Sequence, residues 1–406
     1  MGQDFVVGLD VGTSSIKAVL VEVRRDGLFL RKTFKYPSVG LRKGIVSDLS
    51  ETVQSLAPVI GEIKKISRSA ARKIYLNINS SETRFQTSKG IIAVSRAASE
   101  ISPDDLDKVQ KAAESINLGP NRVILHNVTQ EYIVDGVGGI SDPLGLNGSR
   151  LEIESLIIDA FTPHLKNLAK AVELAGGGVE GVIFAPLAAS KSALSQEQKD
   201  LGVLLVDVGA STTGISVYEE GKLIKTAIFT IGGNNISNDI AVGFKIPVSV
   251  AENLKINFGN ALAKEVGQKE TIDLQKIYSD AKSSVSRRFL AEIIQSRLEE
   301  IFDLVNKEIK TINRAALPGG VILTGGGAKM PGLTELAKQE LRLSAQLGSV
   351  NPKEWTPNAF IEFPSIAEDS EFITAFGLSM SGNDKDNISN YNVPLQAKKI
   401  LRYFLP

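Results

Sequence analysis

The chain has 406 residues, enough for two or three domains with a sizeable core. Lys+Arg and Asp+Glu balance at 46 each, so no net charge draws the molecule to nucleic acid. There is no cysteine and the only histidines are His126 and His164, which excludes disulfides and a thiol nucleophile and leaves a structural zinc site without ligands.

Residues 5–17, FVVGLDVGTSSIK, begin with an apolar run that reads as a strand buried on both faces and ends at Asp10. Gly12 then permits a turn whose amides approach a phosphate, and Lys17 supplies a point charge. This opening is too short and too soon interrupted for a signal peptide, Gly2 lacks the myristoylation pattern, and no window reaches the roughly 18 apolar residues of a spanning helix. A soluble cytoplasmic protein is expected unless its surface attaches it to a membrane. Strands over 18–23 and 28–36 form a hairpin meander. Residues 49–71 carry the helical stripe Val53, Leu56, Ile60, Ile63 and Ile66, and a strand covers 73–78.

From about residue 81 the pattern changes. Strands over 85–94 are followed by a helix that starts after Ser102, with Pro103 in its first position, and runs to about Ile116. A strand over 122–129, a Gly-rich loop over 135–150 and a strand over 151–160 complete a segment with its own logic. This predicts an inserted subdomain. The helix at 165–175 stops at the glycines 176–178, a strand spans 182–185 and a helix 187–194.

Residues 202–214, GVLLVDVGASTTG, then repeat the opening: a strand ending at Asp207, a turn at Gly209, and the hydroxyls of Ser211 and Thr212. The hairpin 215–218 with 222–230 mirrors the meander after the first loop. The echo predicts two related half-domains, with Asp10 and Asp207 facing each other across a hydrated Mg²⁺. Gly232 and Gly233 open a helix over 235–243 whose amino-terminal amides could meet an anion. In the helix 250–258, Glu252 and Lys255 share one face, and spacing alone reads them as a surface ion pair.

The region 272–316 contains one long helix with Leu290, Ile293, Ile294, Leu298, Ile301, Leu304 and Val305 in its apolar stripe, and with Arg287, Arg288 and Arg297 as basic positions. A buried strand at 321–323 leads into TGGGAKMPGL, whose glycines permit close approach by a flat nucleoside. A helix to 341 follows, then a last helix over 372–380 in which Ala375 and Gly377 suit close packing. Residues 381–392 read as a polar linker. In the terminal LQAKKILRYFLP, Lys398, Lys399 and Arg402 fall in one arc, opposite Ala397, Ile400, Leu401 and Phe404, the pattern of an interfacial helix at an anionic membrane.

The paired loops resemble the phosphate loops of the actin-like ATPase superfamily. Over essentially the whole chain the sequence resembles the FtsA family, bacterial actin homologues of cell division: GLDVGTSSIK, LLVDVGASTTG, IGGNNISNDIA with AENLK, and VILTGGGAKMPGL stand in the family's order. Those motifs alone also fit a chaperone or the pilus protein PilM. Residues 130–152, QEYIVDGVGGISDPLGLNGSRLE, resemble the segment leading out of the FtsA insertion. The resemblance implies an α/β actin-like two-domain ATPase fold with duplicated half-domains and an inserted α+β subdomain. Its parts are 1–80 and 162–199 (first half), 81–161 (insertion), 200–232 and 317–360 (core of the second half), 233–316 (its outer subdomain), 361–380 (return to the first half), 381–393 (linker) and 394–406 (membrane-targeting helix).

It further implies ATP and Mg as ligands. Gly12, Thr13, Ser14, Lys17, Gly209, Ser211 and Thr212 would contact phosphate, and Asp10 and Asp207 would orient the metal through water. Gly232 and Gly233 would approach the nucleotide, Glu252 and Lys255 would reach the ribose or base, and Gly325, Gly326 and Ala328 would line the adenosine. The implied partners are the carboxy-terminal peptide of FtsZ, docked on 233–316 near Arg287, Arg288 and Arg297; other copies in a filament; other division proteins; and an anionic membrane surface met by Lys398, Lys399, Ile400, Leu401, Arg402 and Phe404 at the inner face of the division site. The second loop departs from the family, with Ala210 and Ser211 where a Gly pair is common and Gly214 where an acid often follows the Thr pair. Binding with at most weak hydrolysis is therefore implied, and no residue stands out as a general base. A small-molecule kinase or a PilM-like assembly ATPase on the same fold stays open.

Overall fold

The computed structural model describes residues 4–94, 100–278, 284–312 and 317–381. The expected membrane-targeting tail, with Lys398, Lys399, Ile400, Leu401, Arg402 and Phe404, lies outside the described residues. Among the described residues no helix is long and apolar enough to cross a membrane.

The apolar opening forms β1 (Asp4–Val11), buried along its length after the first residue, as a central strand covered on both faces must be. It continues antiparallel into β2 (Ser15–Arg24) and β3 (Gly27–Pro37), followed by the small hairpin β4 (Leu41–Arg42) and β5 (Ile45–Val46). Asp48 caps α1 (Leu49–Ile66) by accepting from the Glu51 amide, and β6 (Ile74–Ile78) returns parallel to β1. The helix is shorter than its periodicity suggested: it stops at Ile66, and a 3₁₀ turn, Ala70–Arg72, fills the remaining segment.

The inserted segment comprises β7 (Arg84–Ala93), α2 (Pro103–Glu114), β8 (Arg122–Val134), β9 (Val137–Ile140) and β10 (Arg150–Phe161), in the sheet order β7-β10-β8-β9. The helix α2 lies on this sheet so closely that a Cβ on Gly90 would stand 2.2 Å from the Val109 carbonyl oxygen. Here the expected loop over 135–150 is partly strand. Asp135 and Gly136 both take positive φ, 48° and 88°, which is the turn that an Asp-Gly pair favours in a tight hairpin, so β8 runs on and folds back as β9.

The chain then forms α3 (Thr162–Leu174), stopped with Gly176 at φ 90°, then β11 (Val179–Phe184) and α4 (Ala185–Ala193). The short helix α5 (Gln196–Leu201), capped by Ser195 and unforeseen, leads into β12 (Val203–Val208), β13 (Thr213–Glu219) and β14 (Lys222–Phe229). Next come α6 (Gly233–Phe244), α7 (Val248–Phe258), the two-residue strands β15 (Thr271–Ile272) and β16 (Val285–Ser286), and α8 (Arg287–Lys310). The strand β17 (Val321–Thr324), α9 (Leu333–Leu341), β18 (Ala345–Leu347) and α10 (Ile373–Met380) finish the described chain.

The two large sheets have one topology. Their orders, β11-β6-β1-β2-β3 and β18-β17-β12-β13-β14, place corresponding strands at corresponding positions. The registers agree too: Asp10 opposes Lys17 as Asp207 opposes Gly214, and Leu9 pairs with Leu76 as Val206 pairs with Leu323. Between the sheets, α4 packs on β12 and β13 while α10 packs on β1 and β2, and the two helices cross. That crossing is backbone against backbone. A Cβ on Gly377 would lie 1.7 Å from the Ala188 carbonyl oxygen, and one on Gly8 would lie 2.1 Å from that of Ala375.

His126 of β8 joins the insertion to the first sheet: its Nε2 accepts from the Phe184 amide at 2.9 Å in the core. Burial pushes its pKa down to about 3, so the native state stays neutral where the unfolded chain, near 6.5, takes up a proton. Stability from this residue is whole above pH 6.5 and is lost as pH falls toward 3, at about 1.4 kcal/mol per pH unit. In urea unfolding, going from pH 7.5 to 5.0 should therefore cost the wild-type chain about 2 kcal/mol more than it costs His126→Gln; equal changes in both would refute this role.

Candidate functional site

Three glycine-containing loops, two from the sheets' central strands and one after β17, converge on a cavity of about 710 Å³ between the halves. The first two loops are built alike. The Gly12 amide donates to the Ser15 carbonyl (3.1 Å) and the Gly209 amide to that of Thr212 (2.9 Å), and a Cβ on either glycine would come within 2.9 Å of the same carbonyl oxygen. Glycine is needed there for space, since neither residue has positive φ. Gly325 is needed for both reasons: its φ is 85°, and a Cβ would meet Asp207 Oδ1 at 2.4 Å.

Asp10 and Asp207 end their strands at the cavity wall. Asp10 Oδ1 accepts from Asn77 Nδ2 at 2.7 Å and Oδ2 from Lys17 Nζ at 3.1 Å, while Asn77 Oδ1 takes the Val11 amide. Burial works against the Lys17 charge, yet Asp10 first, then Glu371 and Asp207, hold its pKa above the ordinary lysine value. No cation among the described residues forms an ion pair with Asp207, although the Thr324 hydroxyl beside it favours the charged form. Burial, and then the Asp10 carboxylate, push its pKa up to about 6 in spite of Lys17. The pair is thus short of positive charge, and a divalent cation between phosphate loops would supply it.

The loops also meet directly. Thr13 Oγ1 and Ser211 Oγ lie 2.7 Å apart, and Asn79 Nδ2 donates to Thr212 Oγ1 at 2.8 Å, each bond joining one half to the other. Gly12, Thr13, Ser14, Lys17, Gly209, Ser211 and Thr212 all line the cavity. Gly233 lines it as well, its amide bonded to the Gly209 carbonyl at 3.0 Å, but Gly232 stands behind it, where a Cβ would meet that carbonyl at 2.5 Å.

Glu252 and Lys255 form no simple surface pair. Both line the cavity, and Lys255 Nζ donates to the Gly233 carbonyl (3.0 Å), Ser237 Oγ (2.9 Å) and Glu252 Oε2 (2.6 Å), tying α7 to the start of α6. Gly325 and Gly326 line the third loop's face with Met330 and Pro331, and Ile256 of α7 also borders the cavity. Ala328 does not: it is buried in the second half's core.

Sequence reasoning missed Asn77, Asn79, Lys35, Lys329 and Glu371, all of which line the cavity. The two asparagines left a signal, polar residues at the end of the apolar strand β6; the other three are brought in only by the fold. Away from the cavity, the three arginines are already engaged. Arg287 donates to Glu270 (2.6 Å) and the Phe258 carbonyl (3.1 Å), Arg288 lies 3.5 Å from Glu292, and Arg297 forks onto Asp239 at 2.7 and 3.0 Å.

The family model for cell division protein FtsA matches residues 204–377, and the model for the SHS2 domain inserted in FtsA matches 80–159. The chain is 33% identical to cell division protein FtsA of Pseudomonas aeruginosa over 94% of this chain and 90% of that protein. It is 34% identical to that of Bacillus subtilis over 86% and 79% of the two chains, and 31% identical to that of Escherichia coli over 93% and 90%. Among solved structures, a chain of the PilM-PilN type IV pilus biogenesis complex superposes with TM-score 0.61 at 19% identity, over 94% of this chain and 99% of that one. MreB5 of Spiroplasma citri bound to AMPPNP gives 0.56 at 14% identity, over 96% and 99%. These structures share the actin-like fold.

The raised pKa of Asp207 makes a checkable difference. Its folded pKa lies above its unfolded value, so its ionisation destabilises the ligand-free chain progressively as pH rises from about 4 to about 6. Relative to wild type, Asp207→Asn should gain about 3 kcal/mol across that window and keep the gain above it. A difference between the two chains that is flat with pH in denaturant titrations would contradict the raised pKa.

Proposed function

Because the chain belongs to the FtsA family of cell division proteins, its relatives matching over most of both chains, we propose that it binds Mg-ATP between its halves and polymerises as an actin-like tether between FtsZ and the inner face of the cytoplasmic membrane. The observation that carries the nucleotide reading is the convergence of two Asp-tipped loops and a third glycine loop on one cavity. The donor set suits the ligand: among the described residues Asp10 and Asp207 are not joined by a third acid in a group that could hold a metal by itself, which matches a metal that takes the rest of its shell from water and phosphate. When bound, Mg²⁺ neutralises phosphate charge and offsets the repulsion between Asp10 and Asp207.

In this reading the residues of the chain bind and orient. The Gly12, Gly209 and Gly233 backbones leave room for phosphate, the Thr13, Ser211 and Thr212 hydroxyls exchange their cross-cleft bonds for ligand oxygens, and Lys17 stays charged beside them. Ile256, Met330 and Pro331 offer apolar contact to the nucleoside, with the Glu252 carboxylate at its polar edge. For the FtsZ peptide, the surface of α6 to α8 combines the arginines with exposed apolar side chains, Val242 at 78% and Phe289 at 44% exposure. Arg288, with the longest ion-pair contact of the three, is the most available to a peptide carboxylate. The inserted subdomain would supply contacts between copies in the filament.

The membrane step rests on the basic and apolar residues of 394–406. Each basic residue near an anionic surface contributes about 1 kcal/mol and each inserted large apolar side chain roughly 1.5–3, against about 1–2 per residue ordered. One tail therefore gives modest affinity, and firm attachment requires many tails presented together by a filament.

Two measurements test this function. Asp207→Ala should weaken Mg-ATP at least tenfold by titration calorimetry, and unchanged binding would count against the site. Truncation after Asn392, or Ile400→Glu with Phe404→Glu, should abolish co-sedimentation with anionic liposomes and with liposome-bound FtsZ while leaving ATP affinity intact. Sedimentation that survives both changes would show that the tail is not the anchor.

A further inference from the structure

The third loop is joined to the first half by a charged side chain that the nucleotide reading does not use. Glu371 stands in the 3₁₀ turn Ser370–Phe372 just before α10. Its carboxylate lies 2.5 Å from Lys35 Nζ of β3, in the first half, and 3.0 Å from Lys329 Nζ of the third loop, in the second. All three side chains line the cavity. The turn is itself pinned to the loop: the Gly325 amide donates to the Ser370 carbonyl at 2.9 Å, the Ser370 hydroxyl donates back to the Gly325 carbonyl at 3.1 Å, and Lys329 also reaches Asp369 at 2.8 Å. Glu371 directly precedes α10, which packs on β1 and β2 of the first half, so Lys35 braces it there and Lys329 carries the ionic link across to the third loop.

The placement of Lys35 follows from the sheet. Asp10 opposes Lys17 and Lys17 opposes Lys35 in register, so one row of charges crosses β1, β2 and β3 toward the cavity and ends on Glu371. The Glu371 side chain is 14% exposed, whereas its lysines are 50% and 45% exposed and reach it from the solvent side. Such a pair is screened in part by salt. The other cross-cleft bonds, Thr13 with Ser211 and Asn79 with Thr212, lie where phosphate would take their hydroxyls, so a bound nucleotide removes them. The contacts of Glu371 lie on the third-loop side and survive that exchange.

We propose that Glu371 is a positioning residue that clamps the third loop to the first half through Lys35 and Lys329, and so sets how long a nucleotide stays in the site. The kinetic part of this rests on the nucleotide reading above, and the clamp itself does not. In the full chain, Glu371→Gln should speed dissociation of a fluorescent Mg-ATP analogue about threefold to tenfold, with association within twofold. Raising salt from about 50 to about 500 mM should speed release from wild type toward the variant's rate and leave the variant nearly unchanged. The charge-reversed combination Lys35→Glu, Lys329→Glu and Glu371→Lys should restore slow, salt-sensitive release that no single reversal gives. Release unchanged in Glu371→Gln, or a combined reversal no slower than the single ones, overturns the proposal. If the wild-type chain takes up no nucleotide, the binding reading is what fails; the clamp is then judged by amide exchange of residues 325–331 in the ligand-free chain. Glu371→Gln should raise that exchange severalfold and the combined reversal should return it, and exchange equal in all three chains overturns the clamp.

Discussion

The geometry of the site depends on the crossing of α4 and α10. Each helix follows one sheet in sequence and packs on the other, and they touch through bare backbone at Gly377 and Ala188, where no side chain fits. A contact of that kind has little freedom to slide, because interiors are close-packed and respond to misfit by discrete repacking. It fixes the distance between the central strands, and hence between the loops that follow them. Gly8 does the same for α10 on β1, and Gly214 for α4 on β13, since a Cβ there would stand 2.9 Å from Pro186 Cγ. Gly214 holds the register position that Lys17 holds in the first half. The second loop thus carries neither acid nor base at that point because the helix crossing needs the space.

That asymmetry decides the electrostatics. Topology makes Asp10 and Asp207 equivalent, yet Lys17 and Asn77 serve Asp10, while Asp207 faces the cavity with its pKa raised. Two carboxylates at the ends of equivalent strands would be hard to ionise together in a dry cleft. The fold pairs one of them with a cation and leaves the other without one among the described residues. The structural repeat supplies the symmetry of the frame, and single substitutions within it supply the polarity of the site.

Much of this was legible in the residues. The two loops announce themselves because a fully buried strand, a sterically required glycine and small hydroxyls occur in the same order twice, and the insertion because strand and helix signals restart at residue 81. What was not legible depends on long-range placement. Lys35 and Glu371 are far apart in sequence and meet only because β3 and the turn before α10 reach the same cavity, and spacing assigned Glu252 and Lys255 to the surface because it could not show the start of α6 packed over them. The Asp-Gly turn at 135–136 was local and readable, but the glycines that follow it blurred a short strand into a loop.

The charges of the finished cavity fit the proposal that its ligand arrives with a metal. Among the described residues its lining carries Lys17, Lys35, Lys255 and Lys329 against Asp10, Asp207, Glu252 and Glu371, which cancel. A cavity that simply attracted polyphosphate would show an excess of cations, as sites that draw anions by field do. Here three of the four lysines already have carboxylate partners within 3.1 Å, and the fourth, Lys329, has two within 3.0 Å. A bare triphosphate would have to compete with those partners and would add its own charge beside Asp207. In the proposed reading, a metal brought in with it would offset the charge of Asp10 and Asp207, while Lys35, Lys255 and Lys329 keep their carboxylate partners. On that reading, the balanced lining would favour a metal complex over a bare triphosphate.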